Sequence, residues 1–501
     1  MLRSNEGLTI PNRDTGLRRQ RSLPSSALML VALPVFVFPA SAQTSPRLQL
    51  SSCSVPDVPA QVQCGRLDVL EDRARPNGRH ITLRVVVLPA RNLPAAADPV
   101  FYLAGGPGQS AVSLARAFWG SWMRDRRAVV LMDQRGTGQS NPLHCAMPGS
   151  PSNLQGYLES AFQRALYERC RVTLEASADL TQYTSLAAIE DLDEIRRALA
   201  FDRINLVGAS GGTRTSLLYL RRYPNAVRTL VLSGVAPPTF RNPLPHARSA
   251  QDAIDRLFQA CAREAGCNAA FPQVDQEFRT VLDRLQSAPA RVTITDRLTR
   301  EPVQLTLTRS ALAEMVRVLL YNSASARQIP LLIHQALAGN YAPIVGPGVE
   351  SIRAQRTSLA MGMFMSVTCN EDVARITPQE IEAETRGTFL GDVRVRGQMD
   401  ACAAWPRASV PAAYGQPVTA AAPALLFSGE YDPVTPPRWG EETVRTLRNG
   451  VHFVLPRGHN LNTPCTDGIS RQFLDAGSMA GIDTSCIAAL RLPPFELPTA
   501  R

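Results

Sequence analysis

The sequence predicts an α/β protein: a mostly parallel sheet with helices on both faces, interrupted by an inserted, mainly helical segment. Three observations carry this. Short apolar runs rich in Val, Ile and Leu alternate with helical patterns from about residue 80 onward. The alternation stops near Phe240 and resumes near residue 424, and the stretch between is mainly helical with Cys, Gly and Pro breaks. The chain has 501 residues, more than one simple compact domain holds. Strand–helix alternation implies parallel strands joined by crossover helices.

Residues 1–42 read as an export signal. Arg13, Arg18, Arg19 and Arg21 make a basic start, 27–38 is a short apolar run, and Ala40-Ser41-Ala42 fits a small-x-small cleavage site. The run is too short to span a bilayer comfortably and holds Pro34, and no later apolar stretch is long enough to cross one. After signal removal no stable membrane anchor is expected.

Residues 43–239 form the first part of the core. The runs 81–88, 100–103 and 128–132 read as strands. Leu186, Ile189, Leu192, Ile195 and Leu199 recur at helical spacing, so 186–199 is an amphipathic helix. A strand at 204–207, a helix at 213–222 stopping before Pro224, and a strand at 229–232 follow. Residues 240–407 are the helical insertion, read as a cap over the sheet edge, with a short hairpin expected at 291–308. Residues 408–501 complete the core with a strand at 424–427, a helix near 438–447 and a strand at 452–455.

Composition excludes several chemistries. Apolar residues make up 45% and charged residues 19%, which is globular. There is no Lys, so a P-loop Lys, a Schiff-base Lys and a Ser–Lys dyad are all excluded. The net charge of +10 comes from scattered Arg rather than a basic block, which argues against a nucleic-acid partner. Ten Cys follow the signal. In an oxidising compartment they imply disulfides, and short loops close most readily. The expected pairs are Cys53–Cys64, Cys145–Cys170, Cys261–Cys267, Cys369–Cys402 and Cys465–Cys486. No Cys-x-x-Cys pair supports the alternative of a zinc site.

The strongest local motif is Gly208-Ala209-Ser210-Gly211-Gly212. It fits G-x-S-x-G, follows the strand INLV and opens a helix, which is the nucleophile elbow of the α/β-hydrolase fold. Ser210 is the candidate nucleophile and needs a base. In this fold the acid and then the His follow the Ser. Of six His, that order discards His80 and His144; His246 and His334 fall in the insertion, and His452 begins a strand. His459 lies in the loop just after a strand, where such sites assemble. The acid candidate is Asp432, in the loop after the strand ALLF, with Glu430 as the spare. Its task is to hold the imidazole in one tautomer and to stabilise the imidazolium. Acyl transfer also needs two donors for the oxyanion. One is the Gly211 N–H. The other comes from Ala104-Gly105-Gly106-Pro107-Gly108 after an early strand, with Gly106 preferred over Gly105. Asp133, in Asp133-Gln134-Arg135-Gly136-Thr137-Gly138, precedes the serine and reads as loop packing. This chemistry calls for no cofactor and no metal.

Taken together, LAGGPGQS, DQRGTGQS, the serine elbow followed by TRTSLLYLRRYP, SGEYDPVTPP and GHN resemble the proline iminopeptidase and tripeptidyl aminopeptidase branch of the α/β-hydrolases. The resemblance runs from about Cys64 to Cys486. It implies a serine peptidase that trims peptides from a free N-terminus under a helical cap, with the triad Ser210, Asp432 and His459. Three positions depart from the branch: Gly211 stands where an aromatic is usual, Ala104 where His often begins the oxyanion loop, and Ser233 where Asp often ends the strand. An exopeptidase must also read the substrate's ammonium with a carboxylate. The resemblance points to Cys369-Asn370-Glu371-Asp372, with Glu371 first and Asp372 second. A carboxylesterase or lipase with the same triad is the alternative activity, and a non-catalytic binding protein on the same fold is a third reading. The export signal implies a periplasmic or secreted protein.

Overall fold

Val, Ile and Leu crowd the strands because most of the sheet is covered on both faces. The computed structural model describes residues 48–498; the expected signal segment lies outside them. The strands are β1 (Ser51–Cys53), β2 (Val62–Leu70), β3 (His80–Leu88), β4 (Val100–Leu103), β5 (Val129–Met132), β6 (Ile204–Ala209), β7 (Val227–Ser233), β8 (Ala290–Thr295), β9 (Pro302–Leu307), β10 (Ala424–Gly429) and β11 (Gly450–Leu455). Nine form one sheet in the order β1-β2-β3-β5-β4-β6-β7-β10-β11, and β8 pairs with β9 in a separate hairpin. From β5 to β11 every pairing is parallel; β1, β2 and β3 add an antiparallel edge.

The period of two in a strand sends alternate side chains into two cores. On one face Leu83, Val85, Leu206 and Leu230 pack with Leu192, Ile195 and Leu217 from the helices Ser185–Ala198 and Gly211–Arg222. On the other, Val86, Leu88, Val207 and Leu425 meet Phe118 and Phe473. The expected strands and the helices at 186–199 and 213–222 appear in place, each within a few residues, as does the hairpin.

The insertion lies between β7 and β10 and is helical apart from the hairpin. Its core joins Ile254, Leu257, Phe278, Leu312, Val316 and Val345. It also takes Leu154, Tyr157 and Leu158 from the connection between β5 and β6. Farther along that connection, Leu166, Tyr167 and Leu174 pack against Met361, Phe364, Val395 and Trp405 of the insertion. The cap is therefore assembled from two separate stretches of chain. All five disulfides pair as the loop lengths suggested, and Cys145–Cys170 and Cys369–Cys402 sit within this second cluster. Among the described residues no helix is long and apolar enough to cross a membrane.

Candidate active site

Strand β6 ends at Ala209 and the next helix begins at Gly211, so Ser210 turns the chain alone. It does so at φ 51°, ψ −123°. A non-glycine residue there carries about 1–3 kcal/mol of strain that the surroundings must hold. The restraints are visible. The Ser210 N–H donates to the Ser233 carbonyl at 2.9 Å, and Thr213 N–H and Oγ1 donate to the Ser210 carbonyl at 2.9 and 2.6 Å. The small neighbours are a spatial necessity. A Cβ on Gly212 would lie 2.0 Å from the Leu103 carbonyl oxygen, and one on Gly208 would lie 2.6 Å from Ser216 Oγ. Gly212→Ala is therefore expected to destabilise the protein by about 3 kcal/mol or more, because the blocking atoms are backbone. Urea unfolding checks this; a variant with the wild-type midpoint would contradict the packing account.

The loop after β4 lies against the elbow. A Cβ on Gly105 would meet Ser210 Cβ at 3.2 Å, and one on Gly211 would meet the Gly106 carbonyl carbon at 3.1 Å. Gly106 has φ 111°, open to glycine alone. Neither the Gly106 nor the Gly211 N–H donates to a described residue. Both glycines line the same cavity as Ser210. Two unengaged amides beside the serine are the arrangement an oxyanion requires.

Asp432 and His459 come together across the ends of β10 and β11. His459 Nδ1 lies 2.7 Å from Asp432 Oδ2. Asp432 is fully buried and also accepts from the Val434 and Thr435 N–H groups at 2.8 and 3.0 Å and from Thr435 Oγ1 at 2.7 Å. Burial pushes its carboxyl up, but the His459 charge and hydrogen bond, joined by the Thr435 donors, outweigh it and hold it below the ordinary value. Glu430, the spare acid, makes no such contact: its N–H pairs with the Leu455 carbonyl, and its own carbonyl accepts from Arg256.

The His459 loop is held from the cap. Asn460 N–H donates to the Tyr321 carbonyl at 2.9 Å, Gly458 N–H to Ser323 Oγ at 3.3 Å, and the Tyr321 ring stands edge-on to the imidazole at 5.0 Å. Ser210 and His459 line one cavity of about 720 Å³ beneath the insertion, while Asp432 is buried behind the imidazole. Thr435 and Tyr321 were not among the candidates from sequence. The Asp-x-x-Thr spacing of a side-chain-capped turn is a signal for Thr435; Tyr321 reaches the site only through tertiary packing.

The remaining candidates divide. Asp372 lines the cavity and pairs with Arg214 at 3.0 Å. Glu371 is not among the lining residues. Its carboxylate accepts from Ser185 N–H and Oγ at 2.5 and 2.7 Å and from the Tyr414 hydroxyl at 2.5 Å, so its capacity is spent inside the fold. Asp133 accepts from Ser110 Oγ, Val112 N–H and Gln139 N–H, holding its own loop. The buried Arg135 beside it forks onto Asp191 at 2.7 Å. His452 is engaged with Ser428 Oγ, and His334 with Glu277, both away from this cavity.

Residues 98–290 match the family model described as the alpha/beta hydrolase fold, and residues 387–486 match the one described as TAP-like protein. The chain is 28% identical over 231 residues to the serine protease Hip1 of Mycobacterium tuberculosis, covering 42% of this chain and 43% of that protein. It is 30% identical over 203 residues to the tripeptidyl aminopeptidase of Streptomyces coelicolor, covering 36% of this chain and 37% of that protein. The chain thus spans less than half the length of the curated relatives it matches. Among solved structures it is similar to the proline iminopeptidase of Mycobacterium smegmatis, at 18% identity and a TM-score of 0.41, over 83% of this chain and 100% of that one.

Proposed function

The chain belongs to the α/β-hydrolase superfamily, with a TAP-like C-terminal part, and from that premise we propose that it is an exported serine peptidase releasing residues or short peptides from free N-termini. One observation carries the reading. Ser210 at the strained elbow, the Asp432–His459 pair, and the Gly106 and Gly211 amides converge on a single covered cavity. In this reading Ser210 Oγ attacks the scissile carbonyl while His459 takes its proton, and Asp432 steadies the imidazolium that forms. The two glycine amides receive the oxyanion, and His459 returns the proton to the leaving amine. Water then repeats the sequence on the acyl-enzyme.

Three features support the finer points. The names of the relatives suggest peptide substrates. Asp372, buried at the cavity wall and paired with Arg214, is the carboxylate we assign to the substrate's ammonium, while Glu371, already saturated, would act by fixing the wall behind it. Five disulfides and the signal-like start favour an oxidising destination, periplasmic or extracellular.

The test is release of aminomethylcoumarin from peptides with free and with acetylated N-termini, beside a p-nitrophenyl ester. Acetylation is expected to lower kcat/KM at least about tenfold, the cost of one lost charge-assisted contact. Ester hydrolysis without any peptide turnover would replace the peptidase by an esterase on the same triad.

A further inference from the structure

The cavity has a cation with no assigned task. Arg394 sits in the first turn of the helix Val393–Ala403 and lines the cavity. Its side chain is 22% exposed, on a cavity whose walls come from both the insertion and the sheet loops. Among the described residues it makes no hydrogen bond, and its Nε is buried without a partner. Its guanidinium packs against the Phe162 ring, with Cζ 4.9 Å from the centroid, which fixes its plane.

The neighbouring charges do not neutralise it. The nearest carboxylate is Glu314, at 3.5 Å from Nη1. Glu314 is already gripped by Arg317 through two bonds of 2.8 and 2.5 Å. Burial pushes Glu314 up, but Arg317 and then Arg394 hold it below its ordinary value, so it is a spent anion shared between two cations. Arg356, on the same wall, donates to the carbonyls of Pro148, Gly156 and Glu159 and adds further positive charge. Glu159, the other acid on this side, is exposed. The third cavity-lining arginine, Arg214, is paired with Asp372 at 3.0 Å and with the Phe240 carbonyl at 2.6 Å.

A second orphan faces the same space. His246 is 4% exposed, lines the cavity, and has neither ring nitrogen hydrogen-bonded. Burial, then the charges of Arg394 and Arg317, keep it well below its ordinary value, so it is a neutral imidazole with one donor and one acceptor to offer. Buried polar groups without partners are rare, and two on one cavity wall call for a partner there.

We propose that Arg394 forms a carboxylate-binding subsite in this cavity, with His246 on the same cavity's wall, so that the preferred substrates carry an anionic group in addition to the bond that is cleaved. Two sources present that chemistry in a peptide: an acidic side chain, or the C-terminal carboxylate of a very short chain. The inference deepens the peptidase reading and rests on it for the choice of peptides as ligands.

The experiment is a titration-calorimetry series on the full chain carrying Ser210→Ala, which removes turnover. The ligands are amidated trialanine, the same peptide with Glu in place of each Ala in turn, and trialanine with a free C-terminus. At least one carboxylate-bearing peptide is expected to bind roughly tenfold to a hundredfold tighter than neutral amidated trialanine, the range of a hydrogen bond to a charged group. Preference among the Glu peptides assigns the side chain as the source; preference confined to free trialanine assigns the C-terminus. Adding Arg394→Gln is expected to bring the ratio to near one. Equal binding of all five peptides, or of none, overturns the subsite, as does a preference that survives Arg394→Gln. Equal binding across the series with Arg394 intact overturns the subsite even where the double variant folds poorly. Wild-type cleavage of the same peptides, read separately, decides the peptidase reading, so either idea can fail without the other.

Discussion

Ser210→Ala is expected to lower kcat/KM by roughly ten-thousandfold to a millionfold while leaving the thermal midpoint almost unchanged. The magnitude follows from the role: without a nucleophile there is no acyl-enzyme, and what remains is binding and oxyanion stabilisation acting on water. The unchanged stability follows from the geometry. The strained backbone at φ 51° is held by main-chain contacts to Ser233 and Thr213, which alanine keeps. Alanine also retains the Cβ against which Gly105 packs. Two measurements check it: progress curves on the best peptide substrate, and labelling by a fluorophosphonate probe, which should modify wild type and spare the variant. Substantial residual turnover would mean that another residue attacks the substrate. A folded wild-type protein that resists the probe would favour a binding protein on a hydrolase fold.

How much of this was legible depends on where the determining forces act. Strands β3 to β7 and β10 could be read because burial on both faces demands largely apolar runs, and β11, partly exposed at the sheet edge, because Phe453 and Leu455 still pack on the core. Strand β2 could not: Arg66 and Asp68 interrupt VQCGRLDVL, because an antiparallel strand near the sheet edge is only partly covered. The elbow and the Asp432 and His459 loops were legible because chain order and position after a strand locate them. What the cap adds was not. Tyr321 reaches His459, and Arg394 reaches the cavity, only when helices distant in sequence fold over the sheet. The same holds for residues 154–174, which look like a long connection and become part of the cap core. Glu371 shows the opposite effect. In sequence it is preferred to its neighbour Asp372, but consecutive residues at a helix end face different ways. Here one faces the cavity and its neighbour is turned to Ser185 and Tyr414.

Asp432→Asn separates the two tasks of the buried acid. At neutral pH the variant is expected to lose about ten-thousandfold in kcat, because an amide that offers N–H to His459 Nδ1 favours the tautomer unable to accept the serine proton. Thr435 Oγ1, 3.1 Å from the same ring nitrogen, can still accept a bond there. Thr435→Val is therefore expected to lower kcat further in the variant background. The stability consequence has a defined sign. The folded carboxyl is held below its ordinary value by His459 and the Thr435 donors, whereas the unfolded chain titrates near about 3.9. A group lowered on folding adds stability above its unfolded value and loses that contribution as pH falls through its folded one. Wild type should accordingly melt above Asp432→Asn at pH 6–8, and the gap should narrow from about pH 4 downward, where the carboxylate begins to protonate. Melting curves of both proteins across that range decide it. A gap that stays constant into acid would place the stabilisation in the shape of the turn at Val434 and Thr435 and not in the charge of Asp432.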